Sequence, residues 1–508
     1  MSNLQCAHVL QEIDTAIRLI DYYSGFAADN YSFILDSGMD PEKLGRFSFA
    51  GKQPFLIFKS KGDTISILTD GEKTTKQGNP FVELRQLMSQ YRIDPACYKT
   101  TDIPFLGGAV GYFGYELCYF IEKLPCLGVD DLSLPDCYFM FVDAVIIYDH
   151  LEKRMFISAV GFDEDFVIAQ QKARRRFERL REEMKRFAVK RLAERSNHSC
   201  GTSDEAEKDG GDSAGLEIRS MFTEEQYMEV VRNAKEHIFA GDIFEVCTTH
   251  RFECDFSGNP FELYQELKRI NPAPFASYLN LPEVKVVSSS PERFLRIGRD
   301  RWCASRPIKG TRPRGKTVRE NKQLYKELFA SIKDRAENTM IVDLVRNDFG
   351  RICEVGSVQV AELMVIEQYA TVLQMVSTIV GKLEEGRDCF DLIQACFPGG
   401  SMTGAPKIEA MSIIDALEPV KRGIYSGSIG YMDFAGNADL NIVIRTILIK
   451  DNKAYFQVGG AVVADSDPRD EYLETLTKAR ALVRALRIVS QRRERMAVPM
   501  VATLGAEL

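Results

Sequence analysis

Histidine is scarce in this chain, with five in 508 residues, and no two stand four apart. A helix-borne pair of histidine zinc ligands is therefore excluded. Cysteine is more plentiful, at 12, yet no C-x-x-C or C-x-x-C-H occurs, which argues against zinc ribbons, redox dithiols and attached haem. An excess of positive charge is also missing. Lys and Arg total 65 against 73 Asp and Glu, a net charge of −8, where a dedicated nucleic-acid binder carries a basic surface. No apolar run reaches the roughly 18 residues of a membrane span. Met1 to Leu10 lacks the basic flank and cleavage pattern of a secretory leader. The expectation is a cytoplasmic protein with scattered reduced thiols, binding neither nucleic acid nor membrane.

What is present is an ordinary globular composition, 45% hydrophobic and 27% charged, with 36 Gly and 19 Pro. At roughly 150 residues per domain, the length allows about three domains or one large one. Early in the chain short apolar runs alternate with turn signals. Phe55-Leu-Ile-Phe58, Thr64-Ile-Ser-Ile-Leu68 and Val142-Asp-Ala-Val-Ile-Ile-Tyr148 read as strands. Over residues 166–192 the period changes. Phe177, Leu180, Met184 and Phe187 recur at helical spacing, and the opposite face mixes Arg and Lys with Glu178, Glu182 and Glu183. Interleaved acids make this a solvated helix rather than a nucleic-acid surface. Residues 196–213 hold no apolar run and read as a linker. Thr223-Glu-Glu-Gln226 is a capping box that starts a helix through His237. The divisions are an N-terminal region over 1–195, a linker over 196–220, a larger region over 221–490, and a frayed tail over 491–508.

Two glycine patterns invite misreading. Gly108, Gly111 and Gly114 are spaced by three, which is not the dinucleotide fingerprint. Phe397-Pro-Gly-Gly-Ser-Met-Thr-Gly-Ala-Pro-Lys407 has the glycine spacing of a phosphate loop, but Ala405-Pro406 stands where Lys-Ser/Thr is needed. It remains a glycine-rich turn into a helix, able to offer backbone N–H groups to a carboxylate.

Three sets of residues carry candidate chemistry. Asp334 and Glu337 are i, i+3 in a helical stretch, and so are Glu471 and Glu474, with Lys478 one turn on. Each pair shares a helix face. Four oxygen ligands with no His or Cys suit Mg2+ rather than zinc; ordinary surface carboxylates have the same spacing. The basic turn Arg306-Pro-Ile-Lys-Gly-Thr-Arg-Pro-Arg-Gly-Lys316 is either a loop for an anionic ligand or a solvated one. Within it, Arg306, Arg312 and Arg314 would depress the pKa of Lys309 if they lie close, making a nucleophile of it. Ser290-Pro-Glu-Arg293 follows a strand over 284–287 and presents Glu292 as a candidate general acid.

Taken together these segments resemble the chorismate-utilising enzymes. The strings are SSSPERF, RPIKGTRPRG, DRAENTMIVDLVRNDFGRI, FPGGSMTGAPKIEAM, RGIYSGSIGY, NIVIRT and GGAVVADSDPRDEYLETLTKARAL, in the family's order across 222–486. LDSGMDPEKLGRFSFAGKQP and PFLGGAVGYFGYE extend the likeness into the N-terminal region. Alternating strands and helices alone support only a mixed class. The resemblance implies an α+β fold of two antiparallel sheets packed as a sandwich, helices outside, with the active site between them in the C-terminal region. It further implies chorismate bound through its carboxylates and Mg2+. Glu337 and Glu474 match the metal ligands, with Glu471 and Asp334 beside them. Gly310, Thr311, Tyr425, Arg445, Gly459, Gly460, Ala461 and Lys478 match substrate contacts, and Glu292 matches the acid that protonates the departing 4-hydroxyl.

Branches of the family differ in what attacks the ring. Anthranilate synthases usually have Ala at the place of Lys309 and His at that of Asn338. PIKGT and AEN, as here, resemble the aminodeoxychorismate synthases, whose lysine attacks C2 before ammonia takes C4. An anthranilate synthase, or a non-catalytic tryptophan-binding relative, is the alternative. Glu245 departs from both usual residues at its position, Gln in ammonia-using members and a water-activating Lys in isochorismate synthases. No glutamine amidotransferase region or lyase domain is recognisable, so the resemblance implies a separate glutaminase subunit. Ser37, Leu44, Gly45, Arg46 and Phe47, with Pro274, Phe275 and Ala276, match the region where relatives bind L-tryptophan.

Overall fold

The computed structural model describes residues 4–95, 101–197, 216–369 and 372–497. Two twelve-stranded sheets dominate it, and every pairing between their strands is antiparallel. The first sheet runs Gln5–Ile13, Arg154–Asp163, Ala144–Asp149, Phe47–Lys52, Ser32–Asp36, Phe275–Asn280, Lys285–Ser290, Thr446–Lys450, Lys453–Val462, Glu245–Asp255 and Arg219–Ser220, with Gly404–Ala405 also on Glu245–Asp255. The second runs Ile308–Pro313, Val372–Lys382, Trp302–Arg306, Arg293–Ile297, Ala438–Asn441, Ser428–Asp433, Gly108–Phe113, Cys137–Val142, Leu56–Lys61, Thr64–Thr69 and Glu72–Gln77, with Gln359–Gln368 on Val372–Lys382. Each sheet draws strands from both sides of residues 196–220. Ser32–Asp36 pairs with Phe275–Asn280 in one, and Gly108–Phe113 with Ser428–Asp433 in the other.

Side-chain alternation decides what each face meets. In Ala144–Asp149, Val145 and Ile147 point into the main core between the sheets, while Ala144 and Ile146 point outward. The outer face of the first sheet is covered by the helices Phe166–Asn197, Pro260–Ile270 and Pro468–Ala497 through Phe177, Leu180, Leu263, Tyr264, Leu482 and Leu486. Against the second sheet, Ile332–Gly350 packs Ile341, Val342, Val345 and Phe349 into the same apolar cluster, which continues around that sheet. This is the α+β sandwich with helices outside.

Local signals mostly hold. The capping box at Thr223 closes on Gln226, and the helix Glu224–Ala240 ends at Gly241 in the left-handed region. The apolar run over 142–148 is not one strand. The chain leaves the second sheet after Val142 and enters the first at Ala144. Both flanking strands are buried on both faces, so no polar alternation or turn residue marks the crossing. At the crossing itself the Asp143 carboxylate accepts from Arg176 at 2.9 Å. Of the expected tail, residues 491–497 continue the helix Pro468–Ala497. Its remainder, and residues 198–215 of the expected linker, lie outside the described residues. All ten described cysteines are free thiols. Among the described residues no helix is long and apolar enough to cross a membrane.

Candidate active site

A cavity of about 740 Å³ opens where the second sheet's edge strand, the strand Lys453–Val462 and the helices Ile332–Gly350 and Pro468–Ala497 converge. Lys309, Gly310, Thr311, Glu292, Tyr425, Arg445, Gly459, Gly460, Ala461, Lys478, Glu337, Glu474 and Asp334 all line it. Residues nearly 190 apart in the chain are thereby gathered into one chamber. Glu471 lies just behind, its Oε2 the nearest atom to a Cβ placed on Gly460, at 2.9 Å.

Lys309 sits on the edge strand Ile308–Pro313, whose register against Val372–Lys382 shifts between Ile308 and Thr311. Gly310 absorbs that bulge at φ 82°, and the bulge turns the lysine inward. The expected arginine neighbours are not there. Arg306 binds Glu367 and Glu362 at 2.7 and 3.2 Å, Arg312 binds Asp334 at 2.6 Å, and Arg314 binds the Tyr369 carbonyl at 2.8 Å. Lys309 Nζ instead donates to Glu245 Oε1 at 2.5 Å, with Glu337 Oε2 at 3.9 Å. Burial pulls its pKa down, but these two carboxylates outweigh burial and hold it above the ordinary lysine value. The expectation of a depressed lysine is thus corrected. Arginines near in sequence are aimed at other acids, and the carboxylates that matter arrive from other elements.

Glu292 follows the strand Lys285–Ser290 and is 5% exposed. Burial pushes its carboxyl up to about 7, against a hydrogen bond from Ser401 and the charge of Lys309. It is therefore a carboxyl able to hold a proton near neutrality, as a general acid must. Arg445 is held in the left-handed region at φ 53°, a strained conformation for a non-glycine residue. Its guanidinium donates to the Lys478 carbonyl, and burial lowers its pKa. Lys478 Nζ reaches Glu474 at 2.7 Å and the Gly459 carbonyl at 2.7 Å. Burial works against charge on Glu474, but Lys478 one turn along outweighs it and lowers the pKa.

The helix Pro468–Ala497 presents Glu474, Thr477, Lys478, Ala481 and Arg484 to the cavity from one face. Thr477, Arg480, Arg484, Gln374, Ser401 and Lys333 were missed in the sequence. The helical spacing from Lys478 to Arg484 was the signal for part of them. Asn338 is fully buried but does not line the cavity. It accepts from Ser377 Oγ at 2.6 Å, and its amide nitrogen has no hydrogen-bond partner among the described residues.

The acids are arranged about positive charge. Lys333 Nζ lies 3.3 Å from Glu471 and 4.0 Å from Glu337, and its charge also reaches Glu474. Glu471 Oε2 is buried with no hydrogen-bond partner among the described residues. Burial pushes Glu337 up to about 7 despite Lys309. As placed, no three such side chains converge closely enough to ligate one ion among the described residues. The donors themselves are all carboxylate oxygens, one of them orphaned, and this chemistry fits a hard divalent ion such as Mg2+. Asp334 stands apart, committed to Arg312.

A second cavity, of about 330 Å³, is lined by Ser37, Leu44, Arg46, Phe47, Phe275 and Ala276. Gly45 and Pro274 do not line it. Gly45 packs within its loop, where a Cβ would stand 2.5 Å from the Met39 carbonyl. The Pro274 carbonyl accepts from Ser37 Oγ at 2.8 Å and braces the wall.

The family model described as chorismate binding enzyme matches residues 44–484. Anthranilate synthase component 1 of Acetivibrio thermocellus is 38% identical, over 94% of this chain and 94% of that protein. Aminodeoxychorismate synthase component 1 of Bacillus subtilis (strain 168) is 37% identical, over 89% of this chain and 91% of that one. The crystal structure of anthranilate synthase component I from Streptococcus pneumoniae TIGR4 superposes with a TM-score of 0.70 at 28% identity, covering 86% of this chain and 92% of that one.

Proposed function

The chain belongs to the family of chorismate binding enzymes, and from that premise we propose that it is an aminodeoxychorismate synthase component I. Its reaction converts chorismate and ammonia to 4-amino-4-deoxychorismate. The observation that carries this reading is Lys309, a buried lysine in the wall of the cavity that also presents Glu292. Overall identity does not separate the branches, at 38% and 37%. The second reading, an anthranilate synthase component I, is favoured by the number of similar proteins that bear that name.

Lys309 Nζ loses a proton to solvent and, as the free amine, forms a bond to C2 of the ring. The ring double bond shifts, and the C4–oxygen bond breaks as Glu292 supplies the proton for departing water. Ammonia then bonds to C4, the double bond shifts back, and the C2–nitrogen bond to Lys309 breaks. Splitting one substitution into two allylic displacements leaves the amine where the hydroxyl was. A lysine on C2 also denies that carbon to ammonia. Gly310, Thr311, Tyr425 and the Gly459-Gly460-Ala461 backbone shape the chamber, and Arg445 and Lys478 attract a dianionic substrate to a protein of net charge −8. Glu337 and Glu474 would hold Mg2+, with Glu471 beside them and Asp334 drawn off to Arg312, and the ion would offset the charge of a substrate carboxylate.

Ammonia comes from a separate glutaminase subunit in the cytoplasm, and the product continues toward 4-aminobenzoate and folate through another enzyme. The second cavity holds L-tryptophan. The test is a product assay on the isolated chain with chorismate, Mg2+ and an ammonium salt, resolved by mass. Aminodeoxychorismate is expected, convertible to 4-aminobenzoate by an added lyase. A Lys309 adduct should be visible by intact mass without ammonia, and Lys309→Ala should lose the product. Anthranilate plus pyruvate from the wild type would establish the second reading instead.

A further inference from the structure

Glu245 is the one group within hydrogen-bond reach of Lys309 Nζ among the described residues, and its own setting is unusual. It opens the strand Glu245–Asp255, is 1% exposed, and leaves Oε2 buried with no hydrogen-bond partner among the described residues. It does not line the cavity, whereas Cys247, two residues on, does. Its backbone is fixed by the strand Gly404–Ala405. Glu245 pairs with Ala405, Phe244 N donates to the Ala405 carbonyl at 2.7 Å, and Gly404 lies so close that a Cβ there would stand 2.1 Å from the Glu245 carbonyl. Glu245 belongs to the first sheet and Lys309 to the edge of the second, so the 2.5 Å contact spans the sandwich at the site.

We propose that Glu245 is the positioning residue that decides which ring carbon receives nitrogen, by holding Lys309 Nζ at the C2 side of the chamber. The inference rests on the lysine reading of the reaction given above. A lysine side chain has four rotatable bonds, and a bulged edge strand does not by itself fix where the amine ends. Its other acid neighbour is Glu337 at 3.9 Å. Without the Glu245 carboxylate the ammonium is drawn to Glu337, vacating the space in front of C2 and occupying an acid of the proposed Mg2+ site. Ammonia then meets an unguarded C2, adds there with loss of the C4 oxygen as water, and the 2-amino product eliminates pyruvate to give anthranilate.

The readout is the ratio of 4-amino to 2-amino products from chorismate and 15N-ammonium, with the Lys309 adduct yield measured in parallel without ammonia. Unfolded enzyme makes neither product, so the ratio is unaffected by how much of a variant folds. Glu245→Gln keeps the reach and removes the charge, and Glu245→Asp keeps the charge and loses the reach. Both are expected to shift the ratio toward the 2-amino product by about tenfold or more, with adduct yield falling in step. A ratio and adduct yield within about twofold of wild type in both variants would overturn the proposal while leaving the lysine reading intact. A wild type that makes only anthranilate, unchanged by Lys309→Ala, would overturn the lysine reading and this inference with it. The wild type and Lys309→Ala together therefore tell the two failures apart.

Discussion

At the scale of single residues, Glu292 makes the sharpest prediction. Its carboxyl is raised to about 7 by burial, so it is neutral and able to donate below that pH, and ionised above it. Turnover normalised to free ammonia should fall about tenfold per pH unit above roughly 7. Glu292→Gln should abolish that limb and lower kcat by about 10²–10⁴-fold. A variant that keeps the limb would assign it to another group. Lys309 shows where reading residues one by one fails. The lysine was legible as a candidate nucleophile, but its surroundings were not. Adjacent arginines turn to Glu362, Glu367 and Asp334, while Glu245 and Glu337 come from another strand and a helix. Proximity along the chain says little about proximity in an electric field. The ordered strings of the family, by contrast, located thirteen cavity-lining residues without any geometry.

At the scale of elements, the acid-bearing helix Pro468–Ala497 approaches the strand Lys453–Val462 closely because that strand presents Gly460 to it. A Cβ on Gly460 would stand 2.9 Å from Glu471 Oε2 and 3.7 Å from Glu474 Oε1. Gly460→Ala should therefore displace the carboxylates while leaving the strand in place. The expected effect is a rise of about 10-fold or more in the Mg2+ concentration needed for half-maximal activity, read by titrating the metal at saturating chorismate. An unchanged requirement would mean that the helix is not held to its distance by that glycine. Elements with local signals were readable, as the capping box at Thr223 shows. The crossing at Asp143 was not, because a strand buried on both faces has no polar period to interrupt.

At the scale of the molecule, one buried ion pair ties the layers together. Arg422 is 3% exposed. It donates to Glu418 at 2.7 Å, to the Cys247 carbonyl of the first sheet at 2.8 Å and to the Met402 carbonyl at 2.7 Å, and its guanidinium lies 4.7 Å from the ring of Tyr115, just past a strand of the second. Glu418 also accepts from Thr249 N and Oγ1. Arg422→Met strands the Glu418 charge and should cost about 3–5 kcal/mol, seen as a lowered Tm. Arg422→Met with Glu418→Gln should recover part of the loss. A single variant that melts like wild type would show that the pair contributes nothing net. No sequence pattern announced this pair, since a Glu and an Arg four apart are ordinary on a helix surface.

The sharing of both sheets between early and late parts of the chain has a consequence for biosynthesis. Leu106 N donates to Asp433 Oδ2, a partner 327 residues downstream, and the strand beginning at Gly108 is flanked on one side by Ser428–Asp433. At about 5–20 residues per second on a ribosome, the early strand waits for tens of seconds with one edge unpaired. An exposed edge of a buried strand is a template for the wrong partner. Nascent chains of this protein are thus expected to depend on holding chaperones, or on slow dilute conditions when refolded, far more than a chain whose halves close separately.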